Sequence, residues 1–137
     1  MSFNLDNVTV GDKIPHLMID PIKRSTLALY AGASGDHNPI HIDLDFAKKV
    51  GMGDVFAHGM LIMAYLGRAL TNIIPQSNLK NLNTRFCSIT NIGDELICGG
   101  QVSKVGNHNS KEIIVFDLMV ADKTGDIKIR GTATIEK

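Results

Sequence analysis

The chain is poor in the features that declare a protein's class from sequence alone. It has two cysteines, Cys87 and Cys98. They are too few for a disulfide scaffold, and their interval matches no zinc pattern, so both are expected as small buried or half-buried thiols. Neither charge is in excess: 14 Lys and Arg offset 14 Asp and Glu, dispersed along the chain. A basic footprint for nucleic acid or an anionic membrane is therefore missing, which leaves a small molecule or a protein as partner. The opening residues carry no basic n-region followed by an apolar h-region and no amphipathic Arg-rich stretch, so no targeting signal is visible and a cytoplasmic location is expected. Repeats, linkers and low-complexity tracts are also absent. A single domain over residues 1–137 with one core follows.

What is present begins with residues 58–74, His58-Gly-Met-Leu-Ile-Met-Ala-Tyr-Leu-Gly-Arg-Ala-Leu-Thr-Asn-Ile-Ile, ending at Pro75. The run is apolar on nearly every face, so a helix there should be surrounded by protein. Arg68 interrupts it and it falls short of the roughly 20 residues that cross a bilayer, which removes the membrane reading. Upstream, residues 14–19 read as a short strand and residues 23–31 as a helix closed by Gly32. Asp43 is placed to cap a short helix over 44–50 that stops at Gly51.

From Leu82 onward the pattern changes to alternation broken by glycine turns at 91–94, 106–109 and 123–126, the mark of consecutive antiparallel hairpins. In the last run Ile127, Ile129, Gly131, Ala133 and Ile135 face the core, with Lys128, Arg130, Thr132 and Thr134 toward solvent. Residues 113–120 are apolar on both faces except at Asp117. That suits a central strand, or one whose outer face meets another subunit. The sum is an α+β fold, an antiparallel sheet wrapped around one apolar helix.

The chemistry concentrates in residues 30–42, Tyr30-Ala-Gly-Ala-Ser-Gly-Asp-His-Asn-Pro-Ile-His-Ile. Gly35 is free in its dihedrals, and Pro39 fixes its own φ and pushes Asn38 out of the helical region, so the loop is stiff and non-helical. His37 and His41 have the spacing of a helical zinc pair, but Pro39 between them denies the helix, so no metal is expected. Asp36 and His41, sharing one water, are the minimum equipment for adding water to a double bond or removing it. Taken singly, Asp36 also suits a turn-forming role and His41 a structural one. The helix start at His58-Gly59 adds unpaired backbone amides that could meet a developing anion, and Gly59 lets a carbonyl approach closely. His58 itself could line a pocket, start the helix or partner the loop. His16 and His108 read as surface residues in a strand and a turn.

Tyr30-Ala-Gly-Ala-Ser-Gly-Asp-His-Asn-Pro-Ile-His-Ile-Asp43, followed by Ala57-His-Gly-Met-Leu61, resembles the motif and helix start of the MaoC-like (R)-specific enoyl-CoA hydratases and the related (3R)-hydroxyacyl-ACP dehydratases. The resemblance covers nearly the whole chain. It implies a single hot-dog fold, paired into a homodimer, and a reversible syn hydration of a trans-2-enoyl thioester carried by CoA or acyl carrier protein, without a cofactor. It assigns Asp36 and His41 as the catalytic dyad, Gly59 as a holder of the thioester carbonyl, and Asn38 as a supporting residue; His58 is grouped with these as a substrate-side residue. Some members add a serine on the central helix. Here Met63-Ala-Tyr-Leu-Gly67 offers no hydroxyl except Tyr65. A non-catalytic acyl-thioester-binding module and a hot-dog thioesterase are the alternatives, the latter weakened by the lack of an acidic residue on the central helix.

Overall fold

In a computed structural model describing residues 3–137, five strands form one antiparallel sheet. They are β1 (Leu17–Ile19), β2 (Leu79–Phe86), β3 (Leu96–His108), β4 (Lys111–Asp122) and β5 (Ile127–Glu136), in the spatial order β1-β3-β4-β5-β2. Met1 and Ser2 of the expected 1–137 domain lie outside the described residues. β4 is the central strand, the first of the two readings its apolar faces allowed. Its inward residues Ile114, Phe116, Leu118 and Val120 are buried, while Asp117 and Met119 face outward and are exposed.

Two of the three expected turns make hairpins, but the one expected at 106–109 falls later, because β3 runs on through Gly106 and Asn107 to His108. Asn109 and Ser110, at φ of 49° and 64°, join β3 to β4 in the mirror-type turn that suits twisted strands. β4 and β5 follow as neighbours. The turn around Asn91–Asp94 does not make a hairpin: β2 crosses the whole meander and pairs with β5, with Phe86 opposite Ile129. Alternation identifies a strand but carries no information about which partner it takes.

Among the described residues the α-helices are α1 (Arg24–Ser34), α2 (Leu44–Lys49) and α3 (Gly59–Thr71). α1 runs through Gly32, the expected stop, to Gly35. There φ reaches 77° and the N–H bonds to Ala31 O at 3.0 Å, the left-handed ending that a glycine takes without strain. Asp43 caps α2 with its carboxylate on the amides of Asp45 and Phe46. The first strand is shorter than the expected 14–19. Pro15 has no amide to give the ladder, and residues 14–16 run beside β3 with one bond from Ile14 N to Gly100 O. His16 thus precedes β1 and His108 ends β3; both are exposed.

α3 lays Leu61, Ile62, Leu66, Ala69 and Leu70 into the core against the concave side of the sheet. It is not surrounded on every face, as its composition suggested. Met60 is 54% exposed and Ala64 is exposed, so one chain's sheet covers one side of the helix and leaves a flank open. Lys128, expected toward solvent, is instead 2% exposed. Cys98 is buried as expected, whereas Cys87 is exposed at the end of β2.

Candidate active site

Gly35 releases the chain from α1 into a loop held by its own short side chains. Ser34 Oγ accepts from Asp36 N at 3.1 Å, Asp36 Oδ1 from Asn38 N at 3.2 Å, and Asn38 Oδ1 from Ile40 N at 3.1 Å. Pro39 then opens a single tight turn, Pro39–His41. The succession of Asx-type bonds is what Asp and Asn do for backbone that cannot be helical. Asn38 is thereby committed to the loop's shape. One Asp36 oxygen bonds within the loop, and the other makes no such bond.

The turn carries His41 to the start of α3. His41 Nδ1 lies 2.7 Å from Phe56 O. A carbonyl only accepts, so Nδ1 holds the proton and donates it, leaving Nε2 as the free nitrogen. His58 is the residue just before α3 and is 1% exposed. Its ring stacks on His41 with centroids 4.0 Å apart, and Tyr30 meets it edge-on at 4.8 Å. His58 Nε2 donates to the backbone O of Asp36 at 3.1 Å, while Nδ1 is buried without a partner. Burial holds the His58 pKa below the ordinary histidine value; the hydrogen bond to Asp36 opposes this, and the nearby His41 reinforces it.

One carboxylate oxygen of Asp36 and one ring nitrogen each of His41 and His58 fall within 4.8 Å of one another. The structure thus brings Asp36, His41 and His58 together from three separate segments, with Gly59 next in the chain. These three are also the residues that could hold a divalent transition ion. His37 is exposed and outside the group.

Next to Gly59 lies a cavity of about 270 Å³, walled by Phe56, Gly59, Ile62, Phe86, Thr90 and Ile129 among others; Asp36, His41 and His58 are not in its wall, and His41 lines a separate cavity with Arg24, Ala28 and Val55. Phe86 leans so close that a Cβ on Gly59 would stand 3.1 Å from its ring. The far wall holds Lys128. Its Nζ donates to Ile89 O and to Asp126, both at 2.8 Å, with Asp94 at 3.2 Å and Asp122 at 3.5 Å. Burial alone would depress the lysine pKa, but the bonds to Asp126 and Asp94 outweigh it and raise it, so the ammonium stays charged.

Sequence reasoning missed Phe56, whose carbonyl fixes the His41 tautomer, and Phe86 and Lys128 as cavity walls. Backbone carbonyls carry no sequence signal. Phe86 lies on a strand whose partner was not readable.

An antiparallel sheet curled over a largely apolar helix, with the polar cluster at that helix's start, is the hot-dog fold. Residues 7–124 match the MaoC like domain, and the chain belongs to that family. It is 33% identical over 100 residues to the peroxisomal hydratase-dehydrogenase-epimerase of Neurospora crassa, covering 73% of this chain and 10% of that protein. To the mitochondrial 3-hydroxyacyl-[acyl-carrier-protein] dehydratase of Arabidopsis thaliana it is 31% identical over 107 residues, 78% of this chain and 63% of that protein. Among solved structures, R-hydratase PhaJ1 from Pseudomonas aeruginosa superposes with a TM-score of 0.82 at 27% identity, covering 93% of this chain and 81% of that one. The chain therefore spans a tenth and under two thirds of the two curated relatives' lengths. Among the described residues no helix is long and apolar enough to cross a membrane.

Proposed function

We propose that this chain is an (R)-specific hydratase/dehydratase that interconverts a trans-2-enoyl thioester and the (R)-3-hydroxyacyl thioester. The observation that carries the reading is the convergence of Asp36 and His41 at the start of α3, next to Gly59 and an apolar-walled cavity. A water held between Asp36 and His41 Nε2 gives a proton to the Asp36 carboxylate while its oxygen bonds to the β-carbon. The C2–C3 π electrons move toward the thioester, and a proton from the dyad is delivered to the α-carbon on the same face. Water is added and no redox change occurs. The Gly59 amide, at the positive end of α3, meets the charge that builds on the thioester oxygen, a contribution of about 3 kcal/mol for a single oxyanion donor.

The same reading assigns Asn38 to support of the loop and keeps His58 with the site as the buried ring that holds Asp36, and it calls for no cofactor. A second copy of the chain is the proposed partner. The open flank of α3 at Met60 and Ala64 is the surface it would cover.

Hydration of crotonyl-CoA followed by chiral analysis of the product tests the reading. The native chain should form the (R)-alcohol without releasing thiol, and Asp36→Asn or His41→Ala should each lower turnover by about a thousandfold with little change in melting temperature. Thiol release in place of hydration would indicate a thioesterase. Full turnover in either variant would remove the dyad.

A further inference from the structure

Arg85 on β2 and Arg130 on β5 are direct partners in the antiparallel register. That places both guanidinium groups on the outer face of the sheet, with Cβ atoms about 5 Å apart. Like charges so placed repel, and among the described residues neither arginine forms an ion pair. Asp117 on the adjoining strand lies on the same face, diagonal to Arg130 and lining a neighbouring groove with it, but makes no ion pair with it. Two positions along the same face, Asn83 and Thr132 are also partners. They add an amide and a hydroxyl to a shallow groove of about 310 Å³ shared with the arginines.

Two guanidiniums on paired backbone positions, neither in an ion pair and with the Asn83 amide and Thr132 hydroxyl beside them, match a phosphate dianion, which accepts forked N–H donors. The position matters as much as the chemistry. The next pair in the register, Phe86 and Ile129, walls the cavity beside Gly59. β2 is an edge strand that ends at Phe86, and the exposed Cys87 and Ser88 follow. A ligand whose thioester lies at Gly59 can leave past these residues and turn over the end of β2 onto the outer face.

We propose that Arg85 and Arg130 form a phosphate-binding site on the outer face of the sheet, and that its ligand is a phosphate of the CoA end of the substrate. The choice of substrate rests on the hydratase reading; the anion site does not.

Steady-state kinetics with crotonyl-CoA and crotonyl-pantetheine separate the two. In Arg85→Gln and Arg130→Gln, KM for the CoA ester should rise about tenfold or more relative to KM for the pantetheine ester, which has no phosphate. By calorimetry, adenosine 3′,5′-bisphosphate should bind the native chain, lose its affinity in the double variant, and compete with crotonyl-CoA. If inorganic phosphate and the bisphosphate bind through the arginines but do not compete, the anion site stands and the CoA assignment falls. No binding by either probe, or binding that survives the double variant, overturns the proposal. Should the native chain hydrate neither ester, the hydratase reading fails and the calorimetry still decides the arginines.

Discussion

Phe86 is the ceiling over Gly59: Cε1 of its ring would stand 3.1 Å from a Cβ added there, with Cδ1 and Cζ at 3.3 Å. The gap is closed by a side chain 52% exposed, which can be pushed aside. Gly59→Ala should therefore fold about as well as the native chain, since Gly59 is the first residue of α3 and the ring it meets is exposed. It should hydrate crotonyl-CoA at least about tenfold more slowly, because the displaced ring narrows the approach to the amide. Adding Phe86→Ala should restore much of the rate. A Gly59→Ala variant with native kcat and KM would show that the amide is not where the thioester sits.

His58 separates stability from activity. His58→Phe keeps the stacked ring, removes a buried nitrogen with no partner and loses one bond to Asp36 O. The orphaned atom costs about 1–3 kcal/mol and the bond contributes about 0.5–1.5 kcal/mol, so the variant's stability should equal or exceed the native value. Turnover should fall because Asp36 is no longer held, and His58→Gln, which retains a donor, should recover part of it. The pH dependence has a definite sign. With its pKa depressed in the fold, His58 binds a proton more readily when unfolded, so stability declines as pH drops below about 6.5. Urea titrations at pH 7 and pH 5.5 should show a smaller loss in His58→Phe.

Lys128→Met should be costly although it places an apolar chain in an apolar wall. It leaves Asp94, Asp122 and Asp126 facing one another with their counter-charge gone, at about 3 kcal/mol in urea titration. The bond to Lys128 lowers the Asp126 pKa, and the Thr124 hydroxyl lowers that of Asp122. Both carboxylates thus contribute stability that is present above about pH 4 and is lost as pH falls through their depressed values. The raised Lys128 pKa adds stability that is lost only far on the alkaline side. Acid unfolding of the Met variant should show a shallower pH dependence than that of the native chain.

The two thiols should react very differently. Burial pushes Cys98 up to about 12, so no thiolate is available in the fold, while Cys87 is exposed at the cavity rim. An aromatic disulfide reagent should titrate one thiol in the native chain and two in denaturant. Modification of Cys87 should also slow hydration by crowding the cavity mouth. Reaction of both thiols under native conditions would contradict the packing of β3.

Sequence pattern carried the local structure well and the long-range structure poorly. The Asp36–His41 loop was legible because Gly35, Asn38 and Pro39 each dictate backbone dihedrals, and the central place of β4 because both of its faces are apolar. The apolar run of α3 was legible as a helix, but composition cannot say whether a neighbouring subunit or the same chain covers Met60. Lys128 was misplaced for a related reason. Alternation assigned it to the solvent face, but β5 bulges there: Val120 pairs with Ile129 and Ala121 with Ile127, so Lys128 drops out of the alternation and joins the cavity wall. The contact of His58 with Asp36 spans 22 residues, and no local rule reaches that far.

The placement of β2 also sets an order of assembly. β3, β4 and β5 are laid down as successive neighbours, each closing a short loop onto the last, whereas β2 precedes all three and finds its partner only when β5 exists. Contacts that close long loops form late and open early. Phe86, and with it the ceiling of the candidate site, belongs to an edge strand whose partner lies far along the chain, and only β1, paired with Leu96–Cys98, closes a longer loop. Amide exchange should be faster along β2 than along β4, and the cavity at Gly59 should come and go with that edge while the rest of the sheet stays intact.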